Sequence, residues 1–148
     1  MKVKIKQIYQ FNGALSLPAY STNGSAGMDL YAAIASPMII KPHETALVPA
    51  GIAISLPYGY EAQIRSRSGL ASKFGVIVLN SPGTIDSDYR GELKIIMINL
   101  GQKDFQLTPA MRIAQMVIAK YEVVSWELVD DLDETERGEN GFGSSGLK

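Results

Sequence analysis

The sequence predicts an all-β domain: a distorted jelly roll or β-barrel of short strands, with at most one short helix. Three observations carry this prediction. Short apolar runs recur from Val3 to Tyr121. Pro37, Pro42, Pro49 and Pro57, with Gly51 and Gly59, separate them at short intervals. No stretch sustains a long helical period and no segment repeats. Many short strands punctuated by turn residues argue for a sandwich, jelly roll or barrel.

Taken in order, Val3, Ile5 and Ile8 interleave with Lys2, Lys4 and Lys6. Such alternation reads as a strand with one buried face and a lysine-protected outer face. A Ser-, Asn-, Gly- and Pro-rich loop follows from Asn12 to Gly27. Met28–Ile34, Met38–Ile40, Ala46–Val48, Ile52–Leu56 and Tyr60–Ile64 are short strand candidates. Ser68–Lys73 can form a single helical turn. Val76–Leu79 and Leu93–Leu100 read as the two arms of a hairpin, followed by Phe105–Leu107 and the long apolar strand Ile113–Tyr121.

With 148 residues, 46% hydrophobic and 20% charged, the chain fits one domain that hides roughly 70% of its unfolded surface. Composition shifts after Trp126, so the domain is placed at residues 1–126 and a flexible, Gly-rich arm at residues 127–148. A net charge of −1 leaves no basic excess for a bulk nucleic-acid or membrane-surface binder. Without cysteine, disulfides, thiolate metal sites and cysteine nucleophiles are excluded. A single histidine, His43, reads as a loop residue and rules out His-rich zinc sites. No apolar run approaches the roughly 18 residues of a membrane span. The first residues lack a signal-peptide core, so a cytoplasmic location is expected.

The chemistry concentrates between the hairpin arms, in N-S-P-G-T-I-D-S-D-Y-R-G from Asn80 to Gly91. Pro82-Gly83 signals a turn, because Pro presets φ and Gly accepts positive φ. Asn80, Asp86, Asp88, Tyr89 and Arg90 are therefore offered from a braced loop, as a small-molecule pocket requires. Far downstream, R-G-E-N-G-F-G-S-S-G from Arg137 to Gly146 is too glycine-rich for a stable helix or strand. Its backbone N–H groups, hydroxyls and guanidinium suit phosphate oxygens, and its one Phe suits stacking on a base.

These two stretches stand in order with S-A-G-M-D-L-Y-A-A (Ser25–Ala33), R-S-G-L-A (Arg67–Ala71) and R-I-A-Q-M (Arg112–Met116). Together they resemble the five motifs of the deoxyuridine triphosphatase (dUTPase) family, from about residue 20 to residue 146. The resemblance implies a homotrimer of jelly-roll subunits, with three active sites each assembled from all three chains. It implies hydrolysis of dUTP to dUMP and pyrophosphate, assisted by Mg²⁺, which supplies dUMP for thymidylate synthesis and keeps uracil out of DNA. No nucleic-acid or membrane partner is implied.

Carried over residue by residue, Asp86 matches the general base that activates water against the α-phosphorus; such a base contributes roughly 10²–10⁴-fold. Asn80, with backbone groups at Gly83, Thr84, Ile85 and Lys94, matches the uracil pocket. A narrow hairpin there excludes the thymine methyl, and its donors and acceptors reject cytosine. Tyr89 matches the residue that packs on deoxyribose and leaves no room for a 2′-hydroxyl. Arg67, Ser68 and Gly69 match a phosphate cradle, with Gln115 at the phosphate site or its support. Asp29 matches a carboxylate linked to Mg²⁺ through water. In the arm, Phe142 matches the aromatic that stacks on uracil, worth about 1–3 kcal/mol. Arg137, Gly143, Ser144 and Ser145 match groups closing over the phosphates. Asn140 and Ser145 depart from the common pattern, where Gly and Thr are frequent.

Two points stay open on sequence alone. Arg112 and Gln115 are three apart, so on a regular strand they point to opposite faces; both reach one ligand only if the chain bends or different subunits are served. Arg90 serves either the site or a subunit contact. The alternative activity is a dCTP deaminase, or bifunctional deaminase, of the same fold. A non-enzymatic β-scaffold has no reason to keep Asp29, Arg67, Asp86 and the glycine tail together.

Overall fold

The computed structural model describes residues 1–8 and 15–141. Among them are eleven strands and one short helix, the all-β class expected. The strands are β1 (Lys4–Gln7), β2 (Gly27–Tyr31), β3 (Met38–Ile40), β4 (Thr45–Pro49), β5 (Ile52–Ser55), β6 (Tyr60–Arg65), β7 (Val76–Val78), β8 (Gly83–Ile85), β9 (Lys94–Asn99), β10 (Phe105–Leu107) and β11 (Arg112–Lys120); the helix α1 spans Ser68–Phe74.

Two sheets face each other, ordered β2-β11-β6-β8 and β4-β9-β7, and the ribbons β1-β5 and β10-β3 close the sandwich. All pairings are antiparallel. Leu30, Ile64, Ala114 and Met116 of the first sheet pack in one core with Val48, Val76, Ile95 and Met97 of the second. The alternation along β9, with Ile95, Met97 and Asn99 inward and Lys94, Ile96 and Ile98 outward, is the period-2 pattern that sets its register. Outward on this sheet, Leu47 lies opposite Ile96 and Ile77 opposite Ile98. With Leu79 they leave an apolar outer face, on which Leu47 is 60% exposed.

Asn99 is the one buried polar side chain among the described residues. Its Nδ2 donates to the Ile40 and Lys103 carbonyls, both at 2.8 Å, and its Oδ1 accepts the Gly101 N–H at 2.9 Å. Every polar atom is satisfied, so it ties three segments together without a desolvation penalty.

The short helix is longer than the single turn expected. It stops at Gly75, whose φ of 68° is left-handed and whose N–H caps the Ala71 and Leu70 carbonyls. There a Cβ would lie 2.8 Å from the Gly101 nitrogen, and one on Gly101 would strike the Phe74 carbonyl. Two glycines thus let the helix end rest backbone to backbone on the turn after β9.

The hairpin expectation holds in part. β7 pairs β9 through Val76↔Asn99 and Val78↔Met97, as an antiparallel pair requires. The segment between them is not a free loop, however: it contains β8, which pairs with β6 of the opposite sheet. Gly83 is also not a left-handed turn residue, since the positive-φ glycines of the described chain are Gly51, Gly59, Gly75 and Gly138. It begins β8 in extended backbone, and its missing Cβ serves close approach rather than turn geometry.

Beyond Lys120 the described chain forms no strand or helix, and Trp126 is 93% exposed.

Candidate active site

The strongest polar constellation is built around Asp29 on β2. Its Oδ1 accepts from Arg67 Nε at 2.8 Å and its Oδ2 from Arg112 Nη1 at 3.2 Å. Arg67 Nη1 also donates to the Arg112 carbonyl at 3.2 Å. Each group comes from a different element: β2, the residue preceding α1, and the first residue of β11. Two guanidinium groups share one carboxylate, which leaves a net positive charge and unused N–H donors suited to an anion.

Arg112 can reach this cluster because β11 is irregular. Arg112 pairs with Tyr31 and Ala114 with Leu30, so Ile113 is an extra residue, a β-bulge. Ile113 and Ala114 are consecutively buried, and the bulge returns Arg112 and Gln115 to the same side. The bend allowed for in the sequence is therefore present. Gln115 lies opposite Asp29 in register, and its Nε2 donates to the Ser66 carbonyl at 3.0 Å. Room for that amide comes from Gly27, where a Cβ would lie 2.5 Å from Gln115 Oε1.

Ser66, which sequence reasoning passed over for Ser68, joins this cluster to the hairpin. Its Oγ accepts the Val78 N–H at 2.9 Å and its own N–H donates to Ser81 Oγ at 3.3 Å. The only sequence signal for it was the doubled Arg-Ser pair at residues 65–68. Ser68 and Gly69 are exposed at the opening of α1, where the first N–H groups lack intrahelical acceptors. A Cβ on Gly69 would touch nothing within 4 Å, so a ligand has free approach.

On the hairpin, Asn80 sits against Gly83: a Cβ there would lie 3.1 Å from Asn80 Nδ2. Thr84 and Ile85 complete β8, paired with Gln63 and Ala62. Asp86 follows at once, exposed, its carbonyl accepting the Tyr89 N–H at 3.2 Å. Among the described residues, no hydrogen bond or ion pair joins the Asp86 side chain to Asp29, Arg67 or Arg112 of the same chain. Tyr89 donates its hydroxyl to the Glu92 carbonyl at 3.0 Å. Arg90 turns onto the Ser87 and Tyr89 carbonyls at 2.6 and 2.8 Å, bracing the loop. Lys94 opens β9 opposite Pro49, exposed.

In the arm, Arg137 Nε donates to the Asn140 carbonyl at 2.9 Å, and the positive φ falls on Gly138. Phe142, Gly143, Ser144 and Ser145 lie outside the described residues.

The donor set accommodates Mg²⁺ only at a remove. An ionised carboxylate has about four acceptor positions, and the two arginines use one on each oxygen of Asp29. Free lone pairs remain for metal-bound water, the outer role that a Mg²⁺ carried by phosphates leaves to protein.

Comparison with known proteins agrees with this geometry. The dUTPase family profile matches residues 14–146. The chain is 98% identical over 148 residues, all of both chains, to the deoxyuridine 5′-triphosphate nucleotidohydrolase of Orientia tsutsugamushi (strain Boryong). It is 60% identical over 146 residues to that of Rickettsia felis, covering 99% of this chain and 97% of the relative. The structure of Staphylococcus bacteriophage 80alpha dUTPase with dUPNHPP matches with a TM-score of 0.84 and 27% identity, covering 99% of each chain. On a profile that spans nearly the whole sequence and relatives this similar over full length, the chain belongs to the dUTPase family.

Proposed function

We propose that the chain is a dUTP diphosphatase, which hydrolyses dUTP to dUMP and pyrophosphate. The observation that carries this reading is the 98% identity, over the full length, to a deoxyuridine 5′-triphosphate nucleotidohydrolase. The 80alpha dUTPase structure with dUPNHPP adds support for a dUTP-shaped ligand.

In this reading Arg67, with Ser68 and Gly69, takes the phosphate chain, and Gln115 holds the Ser66 backbone behind it. Asn80 and the backbone of Gly83, Thr84, Ile85 and Lys94 read uracil, and Tyr89 packs on the sugar. Asp86 takes a proton from a water in line with the α-phosphorus, a role geometry must supply before pKa matters. Its exposure fits a group that meets its water only in a filled site. Asp29 would hold Mg²⁺ through bound water, and the ion would supply neutralisation of phosphate charge. Arg137, Phe142, Gly143 and Ser144, in an arm from residue 127, close over the ligand and exclude solvent.

The working unit is a homotrimer whose sites draw on all three chains. Two observations among the described residues favour self-association: the exposed apolar face of the β4-β9-β7 sheet, and an Asp86 whose side chain is not joined to the Arg67 cluster of its own chain. Incubation with Mg²⁺ and each deoxynucleoside triphosphate in turn tests the reaction. Pyrophosphate from dUTP alone is the expected result; conversion of dCTP to dUTP would point to the deaminase, and no product would refute catalysis.

A further inference from the structure

We propose that Glu92 is a positioning residue that fixes the ring of Tyr89 and thereby sets the discrimination of deoxyribonucleotide against ribonucleotide. The inference rests on the reading of Tyr89 as the wall of the sugar pocket and deepens it.

A steric wall excludes a single oxygen atom only if the wall does not yield. Tyr89 is 44% exposed, so packing alone does not hold it. Two features do. The ring folds back over Gly91, where any Cβ would strike its hydroxyl and ring carbons. The hydroxyl then donates to the Glu92 carbonyl at 3.0 Å.

Glu92 is itself tied down from the opposite direction. Its Oε1 accepts the Gly51 N–H at 3.1 Å, across 41 residues of sequence. Gly51 lies in the tight turn between β4 and β5, at φ 69°. The next residue, Leu93, is fully buried and bonded on both sides: its carbonyl accepts the Ala50 N–H at 2.8 Å and its N–H donates to Ile52 at 2.9 Å. An unbroken path therefore runs from the core, through the Gly51 turn and the Glu92 carboxylate, to the far end of the Tyr89 ring. Without the carboxylate, the Gly51 N–H loses its acceptor, and the peptide whose carbonyl tethers the ring is held from the Leu93 side alone, so it can tilt. A displacement near 1 Å at such a site is enough to change rates.

The test compares kcat/KM for dUTP and for UTP in the full-length protein. Glu92→Ala is expected to lower the dUTP-to-UTP ratio about tenfold, the equivalent of one charge-assisted hydrogen bond, mainly by improving UTP. Glu92→Gln, which keeps an acceptor for Gly51, is expected to restore the ratio. Tyr89→Phe, which lacks the hydroxyl, should behave like Glu92→Ala. A wild-type ratio in folded Glu92→Ala overturns the proposal; if that variant does not fold, a wild-type ratio in Tyr89→Phe does so instead. Tyr89→Ala separates the two readings. An unchanged ratio there removes Tyr89 from the sugar pocket and the proposal with it. A lowered ratio there, with a wild-type ratio in Glu92→Ala, removes the proposal alone.

Discussion

Replacing Asp29 by Ala removes the carboxylate shared by two arginines, and the structure allows the loss to be apportioned. The Arg67 and Asp29 side chains are only 29% and 20% exposed, and their atoms lie 2.8 Å apart. A charge-assisted bond this sheltered contributes about 1.5–3 kcal/mol. Arg112 lies at 3.2 Å and is 55% exposed; solvent screening reduces that pair to about 0.5 kcal/mol. The pairs share one carboxylate and do not add independently, so the expected loss is about 2–3 kcal/mol. For a chain near 150 residues this lowers Tm by about 4–12 °C. Calorimetry at a fixed protein concentration measures it, since self-association also moves Tm. Arg112→Ala, which breaks only the exposed pair, should lower Tm by about 1–2 °C. An Asp29→Ala Tm within about 1 °C of wild type, or an equal fall in Arg112→Ala, would refute the reasoning.

Asp86→Asn should keep the fold and the affinity for a non-hydrolysable dUTP analogue while kcat falls roughly 10²–10⁴-fold; near-normal kcat removes Asp86 from the base role. A chain ending at Glu136 should unfold at the wild-type temperature yet hydrolyse dUTP far more slowly, and full activity would show that the arm is passive. Asn99→Ala leaves the Ile40 and Lys103 carbonyls and the Gly101 N–H without their partner. Urea unfolding should show a loss of about 3–5 kcal/mol, and a loss below about 1 kcal/mol would mean that water replaces the amide. Ala110, at φ 60°, occupies backbone that glycine adopts freely. Ala110→Gly should stabilise the protein by about 0.5–1 kcal/mol, and destabilisation would contradict that account.

Much of this architecture was legible in the sequence because period-2 burial is a local property. Met38–Ile40 and Phe105–Leu107 emerge with the bounds their apolar runs gave, and the arms of the hairpin differ by a residue at their ends. What escaped is non-local. Thr84 and Ile85 carry no mark of their pairing with Gln63 and Ala62, since partner choice depends on how the sandwich closes. Ile113 looks like any strand isoleucine, and its bulge exists only relative to β2. Ser66 and Glu92 are common polar residues whose partners, Ser81 and Gly51, lie 15 and 41 residues away. Motif order rather than local physics singled out Asp29, Arg67 and Arg112: nothing local to Asp29 announces that it will clamp the two arginines.

The extra residue at Ile113 also constrains how this strand can change over generations. Single replacements at outward positions leave the remainder of β11 in phase. Loss of Ile113 would do something else: Arg112 and Gln115, then two apart, would still share a face, but the core would lose a side chain only 1% exposed, and the Ala110 and Met111 backbone bonded to Ala32 would be drawn out of place. Emptying a well-packed position in this way is among the costlier changes available to a protein. This short stretch should therefore drift by spelling and hold its length, a signature that an alignment of distant descendants can reveal without any measurement of activity.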